Sequence, residues 1–252
     1  VPVFARSCFG ISREGRALIN RPHFQGEVVT EKGILKMEGL NQSTPSSANI
    51  LFTHEFGLKP ASIRNSYYLV FQDNSLLKVS ESAPLIPRNG TVLRVDRDRF
   101  PWVAKLSALS RVILSYGLSA PWNSVKIAIG GGPKLLNDGL LALDYKEQFS
   151  KAILEQRAPR TAIGIDDVGN LILVVVDGRQ TLSKGLTMLE LADLMQSIGA
   201  KQAMNLDGGG SSTLFLDGKV VNKPSDGHER KVSNAILFMP VFNESNQRFA
   251  LN

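Results

Sequence analysis

Asn205-Leu206-Asp207-Gly208-Gly209-Gly210-Ser211-Ser212 is the stretch in which residue type and spacing say most about chemistry. Three successive glycines cost backbone entropy on folding, so a folded chain keeps them where it must bend sharply or let a ligand reach the backbone. Asn205 and Asp207 alternate with Leu206 and would share one face of a strand, away from the core contact of Leu206. An amide and a carboxylate would then stand beside the N–H groups of Gly208, Gly209 and Gly210 and the hydroxyls of Ser211 and Ser212. That surface suits a sugar or a phosphate. A tight polar turn, with Asp207 capping backbone amides, fits the same spacing equally well. Upstream, Arg160-Thr161 opens one β-prone run and Asp177-Gly178-Arg179 closes the next, so antiparallel pairing brings Arg160, Thr161, Asp177 and Arg179 to one end of a hairpin. Two arginines there can bind an anion through fork-shaped hydrogen bonds, with Asp177 holding one of them in place; a plain Asp177–Arg179 turn ion pair is the competing reading. A third cluster, Asn222, Ser225, Asp226, Glu229 and Arg230, follows in a loop punctuated by Pro and Gly. Loops that return polar groups to a sheet end often carry function, although a solvated loop is the default.

These residues need a scaffold, and its turns are explicit in the second half of the chain. Ala162 to Ile165 and Leu171 to Val176 are β-prone runs joined by Asp166-Asp167-Val168-Gly169-Asn170, which predicts a hairpin with a well-buried second strand. Thr187 stands three residues before Glu190 in the capping-box pattern, and Met188, Leu191, Ala192, Met195 and Ile198 follow at helical spacing until Gly199. The expectation is an amphipathic helix over 187–198 whose Met and Leu residues are core. A short strand leads to Asn205. Ser212 to Leu216, the Asp217-Gly218 turn and Lys219 to Val221 predict a second hairpin, and Ser233 to Met239 a strand closing the sheet. The first half reads as β-rich: Ala17 to Ile19; Gly26 to Thr30 paired with Ile34 to Met37; Ser66 to Gln72 before an Asp73-Asn74 turn; Gly90 to Val95; Arg111 to Tyr116. Strand pairs followed by a helix and more strands predict an α+β fold, with a mixed, mostly antiparallel β-sheet and a few packed helices. No repeat or long linker divides residues 1–252, so a single domain is expected.

Composition removes several functional classes. The chain has 252 residues, 43% hydrophobic and 21% charged, a globular balance that excludes disorder. Its net charge of +6 lies in the first half, where 15 basic side chains face 9 acidic ones over residues 1–125. The densest basic stretch, Arg94 to Arg99, is interleaved with Asp96 and Asp98 and reads as a solvated strand edge, so no nucleic-acid partner is expected. Cys8 is the sole cysteine, which excludes an internal disulfide framework and a cysteine-rich zinc site. His23, His54 and His228 lack H-E-x-x-H spacing. Apolar runs such as Leu171 to Val176 are far shorter than the ~20 residues that span a bilayer, which predicts a soluble chain with no transmembrane segment. It opens at Val1-Pro2 with no Met and no signal peptide, so the expectation is that an N-terminal segment has been removed or lies outside this sequence. Gly130-Gly131-Gly132-Pro133 has neither phosphate-loop nor dinucleotide spacing, and no G-x-S-x-G elbow occurs.

Four segments taken together, R-T-A-I-G-I at 160–165, V-V-D-G-R-Q at 175–180, N-L-D-G-G-G-S-S-T at 205–213 and V-N-K-P-S-D-G-H-E-R at 221–230, resemble the phosphodiester glycosidase family. The resemblance is dense over 158–240 and extends more weakly upstream through Ala158-Pro159 and Gly130-Gly131-Gly132-Pro133 toward the Thr53 to Gly57 segment and Phe9-Gly10, so that it spans most of the chain. It departs at one point: family members carry an Asn-Gly-Gly-aromatic stretch near the start of the domain, whereas the sole Asn-Gly here, Asn89-Gly90, is followed by Thr91. Either the chain begins inside the family domain or a piece of the pocket is lacking. The resemblance implies hydrolysis of a sugar-1-phosphodiester, of the N-acetylglucosamine-1-phosphate diester type, at the anomeric carbon, and an extracytoplasmic location. A phosphate leaves as a stable anion and gains most from preorganised positive charge, which Arg160 and Arg179 would supply. The oxocarbenium-like carbon calls for a carboxylate: Asp207 is the first choice and Asp177 the second, with Glu229 as acid or base. Asn205, Ser211 and Asn222 would bind the sugar, and Arg230 would be a third anion contact. Thr161, Gly208, Gly209, Gly210 and Asp226 complete the expected substrate surface. No cofactor is required on this reading. Two alternatives stay open: a non-catalytic binding module for glycans or phosphoglycans, and a phosphodiesterase using a divalent cation held by Asp207, Asp226 and Glu229.

Overall fold

Asp73 and Asn74 both adopt the left-handed backbone conformation (φ 48° and 62°), the geometry that joins antiparallel strands with least splay, and they link Ser66–Gln72 to Ser75–Ser80. The computed structural model describes residues 6–42, 48–143 and 147–239; Val1-Pro2 and the last residue of the motif-dense region, Pro240, lie outside them. In chain order the strands are β1 (Cys8–Ser12), β2 (Ala17–Asn20), β3 (Phe24–Thr30), β4 (Gly33–Lys36), β5 (Gly39–Leu40), β6 (Ile50–Thr53), β7 (Ser66–Gln72), β8 (Ser75–Ser80) and β9 (Gly90–Asp96). They continue as β10 (Val112–Leu118), β11 (Val125–Gly130), β12 (Lys134–Asn137), β13 (Leu140–Leu141), β14 (Arg160–Ile165), β15 (Leu171–Val176), β16 (Gln202–Asn205), β17 (Phe215–Leu216) and β18 (Lys219–Val220). The helices are α1 (Lys151–Glu155) and α2 (Met188–Ser197). With 38% strand against 13% helix the α+β expectation holds, but strands dominate. Only the β5–β6 pair is parallel among the described strands.

Residues 24–118 build a sandwich. The sheet β5-β6-β9-β7-β8 faces the sheet β10-β3-β4. Alternation along β7 sends Tyr67, Leu69 and Phe71 into the inter-sheet core with Val28 and Leu35, while Tyr68 and Val70 pack on the opposite face with Phe52, Ile86 and Val92. Both faces are therefore buried, which is why the run is apolar throughout. The Arg94 to Arg99 stretch is not a solvated edge: β9 is a central strand between β6 and β7, and Arg94 is 2% exposed, with Nη2 donating to the Ala48 carbonyl at 3.1 Å. Burial lowers the pKa of Arg94. Past the strand, the partly buried Arg97 and the exposed Arg99 pair with Glu81 and Glu38.

The sheet that carries the chemistry has the order β13-β12-β16-β14-β15. In β14 the small residues Ala162 and Gly164 face α2, and Ile163 faces the sheet β11-β1-β2 with Ile165 beside it. A Cβ on Gly164 would lie 2.7 Å from the Met195 Cε and 3.0 Å from the Ala200 Cβ, so the glycine is what lets the helix approach. Helix α2 begins with the expected capping box, in which Thr187 Oγ1 accepts from Glu190 N at 3.2 Å and Glu190 Oε2 from Thr187 N at 2.9 Å. It buries Met188, Leu191, Ala192 and Met195 and ends at Gly199 (φ 95°). Each large side chain among these contributes roughly 2 kcal/mol by leaving water.

Three expectations fail here for want of a pairing partner or a second cover. Leu171–Val176 is an edge strand that stays half-exposed, and the buried member of that hairpin is β14. The second hairpin shrinks to the two-residue strands β17 and β18, isolated from the larger sheets. Residues 233–239 form no strand: the apolar run has β propensity but pairs with no strand, and only Ile236 packs on the core.

Candidate active site

The register of β14 and β15 pairs Arg160 with Val176, so Arg160 and Thr161 lie at the same hairpin end as Asp177 and Arg179. Strand β16 pairs with β14 on its other side, Asn205 opposite Ala162, and delivers the glycine turn to that same end. Each glycine then makes room for a different neighbour. A Cβ on Gly208 would lie 2.8 Å from the Pro159 carbonyl, beside Arg160. One on Gly209, whose φ is 62°, would touch the Arg179 guanidinium at 3.4 Å. One on Gly210 would collide with the Asp226 carboxylate and with Arg230. The triple glycine is thus the place where all three polar clusters converge.

The arginines differ in role. Arg160 is 5% exposed; its Nε donates to Leu186 O at 2.8 Å and its Nη2 to Ile153 O at 3.0 Å and Gln156 O at 2.6 Å, anchoring α1 and the segment before α2. It is therefore mainly a buried strut, with only Nη1 uncommitted among the described residues. Its pKa is lowered, first by burial and second by the charge of Arg179. Arg179 is exposed, sits at a left-handed φ of 57°, and its side chain makes no hydrogen bond or ion pair among the described residues. The expected Asp177–Arg179 ion pair does not form. Arg230 instead pairs with Asp226, Nε and Nη2 both reaching Oδ2 at 2.8 and 2.7 Å.

Asp177 is a fastener. Its Oδ1 accepts from Asn222 Nδ2 at 2.9 Å and from Lys223 N at 3.1 Å, and Oδ2 accepts from Lys223 N at 3.1 Å. Asn222 is fully engaged: Nδ2 also donates to Ser212 O, and Oδ1 accepts from Leu214 N. These bonds pin the late loop against the hairpin end. Thr161 Oγ1 donates to the buried Ser212 Oγ at 3.1 Å, tying β14 to the glycine turn. Asn205 is 6% exposed and gives Nδ2 to Gly132 O at 2.9 Å, while its Oδ1 has no partner among the described residues. Asn205 and Asp207 therefore do not share an exposed face, because β16 ends at Asn205 and the chain turns.

Asp207 is exposed and accepts one hydrogen bond, from its neighbour Gly208 N at 2.9 Å. Ser211 is partly buried at the end of the glycine turn, and Glu229 is exposed in the late loop. What remains open at this sheet end is a carboxylate, Asp207, beside a turn over which an unpaired guanidinium lies. Asp207, Asp226 and Glu229 are not gathered as metal donors: among the described residues no three His, Cys, Asp or Glu side chains are so grouped.

Sequence reasoning missed Glu147. Its side chain is fully buried; Oε1 accepts from Ser7 Oγ, Lys134 N and the Nε and Nη2 of Arg21, and Oε2 from Ser7 N. A Cβ on Gly132 would strike Glu147 Oε2, so Gly132 admits this carboxylate, while its own carbonyl anchors Asn205. Its partners lie up to 140 residues away, and no local spacing announces them.

Residues 61–239 match the phosphodiester glycosidase family. The chain belongs to that family. Its matched relatives include the SPbeta prophage-derived uncharacterized protein YomE of Bacillus subtilis (strain 168), 39% identical over 98 residues, which is 39% of this chain and 15% of that protein. N-acetylglucosamine-1-phosphodiester alpha-N-acetylglucosaminidase of Mus musculus is 45% identical over 78 residues, 31% of this chain and 15% of that enzyme. The chain thus spans 15% of the length of these relatives. Among solved structures, a hypothetical protein from Synechocystis superposes with a TM-score of 0.68 at 25% identity, over 88% of this chain and 43% of that one. Among the described residues, no helix is long and apolar enough to cross a membrane.

Proposed function

We propose that this chain hydrolyses a sugar-1-phosphodiester, of the N-acetylglucosamine-1-phosphate diester type, at the anomeric carbon. The observation that carries the reading is the Arg179 guanidinium, unpaired among the described residues and held over the glycine turn beside Asp207. In this reading Arg179 and the Nη1 of Arg160 bind the phosphate and stabilise the charge that grows as it departs. Asp207 stabilises the oxocarbenium-like carbon and takes a proton from the attacking water. The water oxygen bonds to the anomeric carbon, the bond from that carbon to the bridging oxygen breaks, and the bridging oxygen leaves on the phosphomonoester. Asp177, Asn222, Thr161 and Ser212 are positioning residues, and Glu229 and Ser211 are open to the substrate. No resident cofactor enters this scheme. The place of action in this reading is extracytoplasmic, on exported glycans.

The test is hydrolysis of an aryl N-acetylglucosamine-1-phosphodiester in heavy-oxygen water, with the products weighed by mass spectrometry. Label on the sugar is expected. Label on the phosphate would mean P–O cleavage and overturn the reading, and binding without turnover would leave a phosphoglycan-binding module.

A further inference from the structure

The sandwich of residues 24–118 opens at one end into a cleft of about 440 Å³, between the ends of β5, β6 and β9 and the exposed ring of Tyr116 on β10. That volume lies within the range of small-molecule sites. The cleft is lined by the first core's strands and shares no residue with the glycine turn. Its polar groups are organised. Asn41 lies at a left-handed φ of 53° and spends both ends of its amide on Thr53: Oδ1 accepts from Thr53 N and Nδ2 donates to Thr53 Oγ1, each at 2.8 Å. Thr53 Oγ1 in turn donates to Glu55 Oε2. This relay orients Glu55, and the Thr53 hydroxyl is the largest cause of its lowered pKa. Directly across the strand pair from Thr53 stands Thr91, 6% exposed, whose Oγ1 has no hydrogen-bond partner among the described residues. A buried hydroxyl left unpaired costs about 1–3 kcal/mol, and here it lies in a cleft wall.

We infer that this cleft is a second binding site, for a saccharide, separate from the hydrolytic site. The ligand class follows from the mixture of groups. Arg88 offers donors, Glu55 offers acceptors of opposite charge, Thr91 offers a hydroxyl, and Tyr116 offers an aromatic face. An anion gains from Arg88 but is repelled by Glu55. A polyhydroxy ring satisfies donors and acceptors together and stacks its C–H face on an aromatic ring. The cleft then holds a longer glycan while its reacting end is processed elsewhere.

The experiment applies the purified chain to a microarray of neutral and acidic oligosaccharides, with inorganic phosphate as competitor, alongside Arg179→Ala, Tyr116→Ala, Arg88→Ala and the near-isosteric Thr91→Val. The expected result is glycan binding that survives Arg179→Ala and excess phosphate and weakens at least tenfold in Tyr116→Ala, Arg88→Ala and Thr91→Val. Hydrolysis of the small aryl phosphodiester by those three cleft variants stays at the parent rate. No glycan signal, or a signal that the cleft variants leave intact or that phosphate or Arg179→Ala abolishes, overturns the inference. Because hydrolysis is read separately, loss of the cleft site and failure of the proposed reaction are distinguishable.

Discussion

Replacing Arg179 by glycine separates what this residue does for stability from what it does for chemistry. A side-chain-bearing residue at φ 57° carries left-handed strain of roughly 1–2 kcal/mol. Glycine removes that strain and costs roughly 0.5–1 kcal/mol through the added freedom of the unfolded chain. The Arg179 side chain is exposed and has no hydrogen bond or ion pair among the described residues, so little packing is lost. Removing its charge from beside buried Arg160, whose pKa it lowers, also relieves repulsion. Arg179→Gly is therefore expected to stabilise the fold by about 0.5–1 kcal/mol, or about 1–4 °C in midpoint for a chain of this size. Arg179→Ala keeps the strain and is expected to leave stability within about 0.5 kcal/mol of the parent. Both should lower the hydrolytic rate about 10²–10³-fold, the typical effect of removing one preorganised donor to developing negative charge. Urea titration gives the first quantity and release of aryl phosphate the second. A glycine variant destabilised by more than about 1 kcal/mol would make Arg179 a structural strut and refute the strain argument. A variant hydrolysing at the parent rate would refute its role as phosphate ligand.

Asp207→Asn keeps the acceptor for Gly208 N and should leave the urea midpoint unchanged while cutting turnover at least 100-fold; parent-like turnover in a folded variant would remove Asp207 from the chemistry. Glu147→Ala leaves Arg21 and the Ser7 and Lys134 amides without their buried acceptor and should cost about 3–5 kcal/mol, read as a large fall in urea midpoint. Thr187→Ala removes the cap of α2 and should cost about 1 kcal/mol, with a smaller far-ultraviolet helical signal at intermediate urea. The Glu190 carboxylate is held below the usual range first by its bond from Thr187 N, then by the Thr187 hydroxyl and Arg157. A depressed folded pKa contributes stability above the unfolded pKa and loses it as pH falls through the folded value. The stability gap between the parent and Glu190→Gln is therefore expected at neutral pH and should close below about pH 4; a gap that persists in acid would contradict the assignment.

The local elements were legible because their signals are short-ranged. Thr187, Glu190 and Gly199 state where a helix starts and stops, Asp73-Asn74 states a hairpin turn, and the aromatic and β-branched run Tyr67–Phe71 states a strand, all through signals within a few residues. The meeting of Arg160, Thr161, Asp177 and Arg179 at one hairpin end was also legible, since hairpin register follows from the turn, whereas the glycine turn joins them through the long-range pairing of β16 with β14. The tertiary structure alone decided how each side chain is used. Arg160 looked like an anion ligand but is largely consumed by backbone carbonyls, and Asn222 and Asp177 became fasteners of the late loop. Arg94 looked solvated but lies in a central strand, and Ser233 to Met239 found no partner. Glu147 was silent because its acceptors are satisfied from residues 7, 21 and 134. A side chain's type fixes which bonds it can make, whereas burial and the arrival of distant chain decide which of them are already taken. In this protein that difference separates Arg179, whose side chain makes no hydrogen bond or ion pair among the described residues, from Arg160, built into the frame beside it.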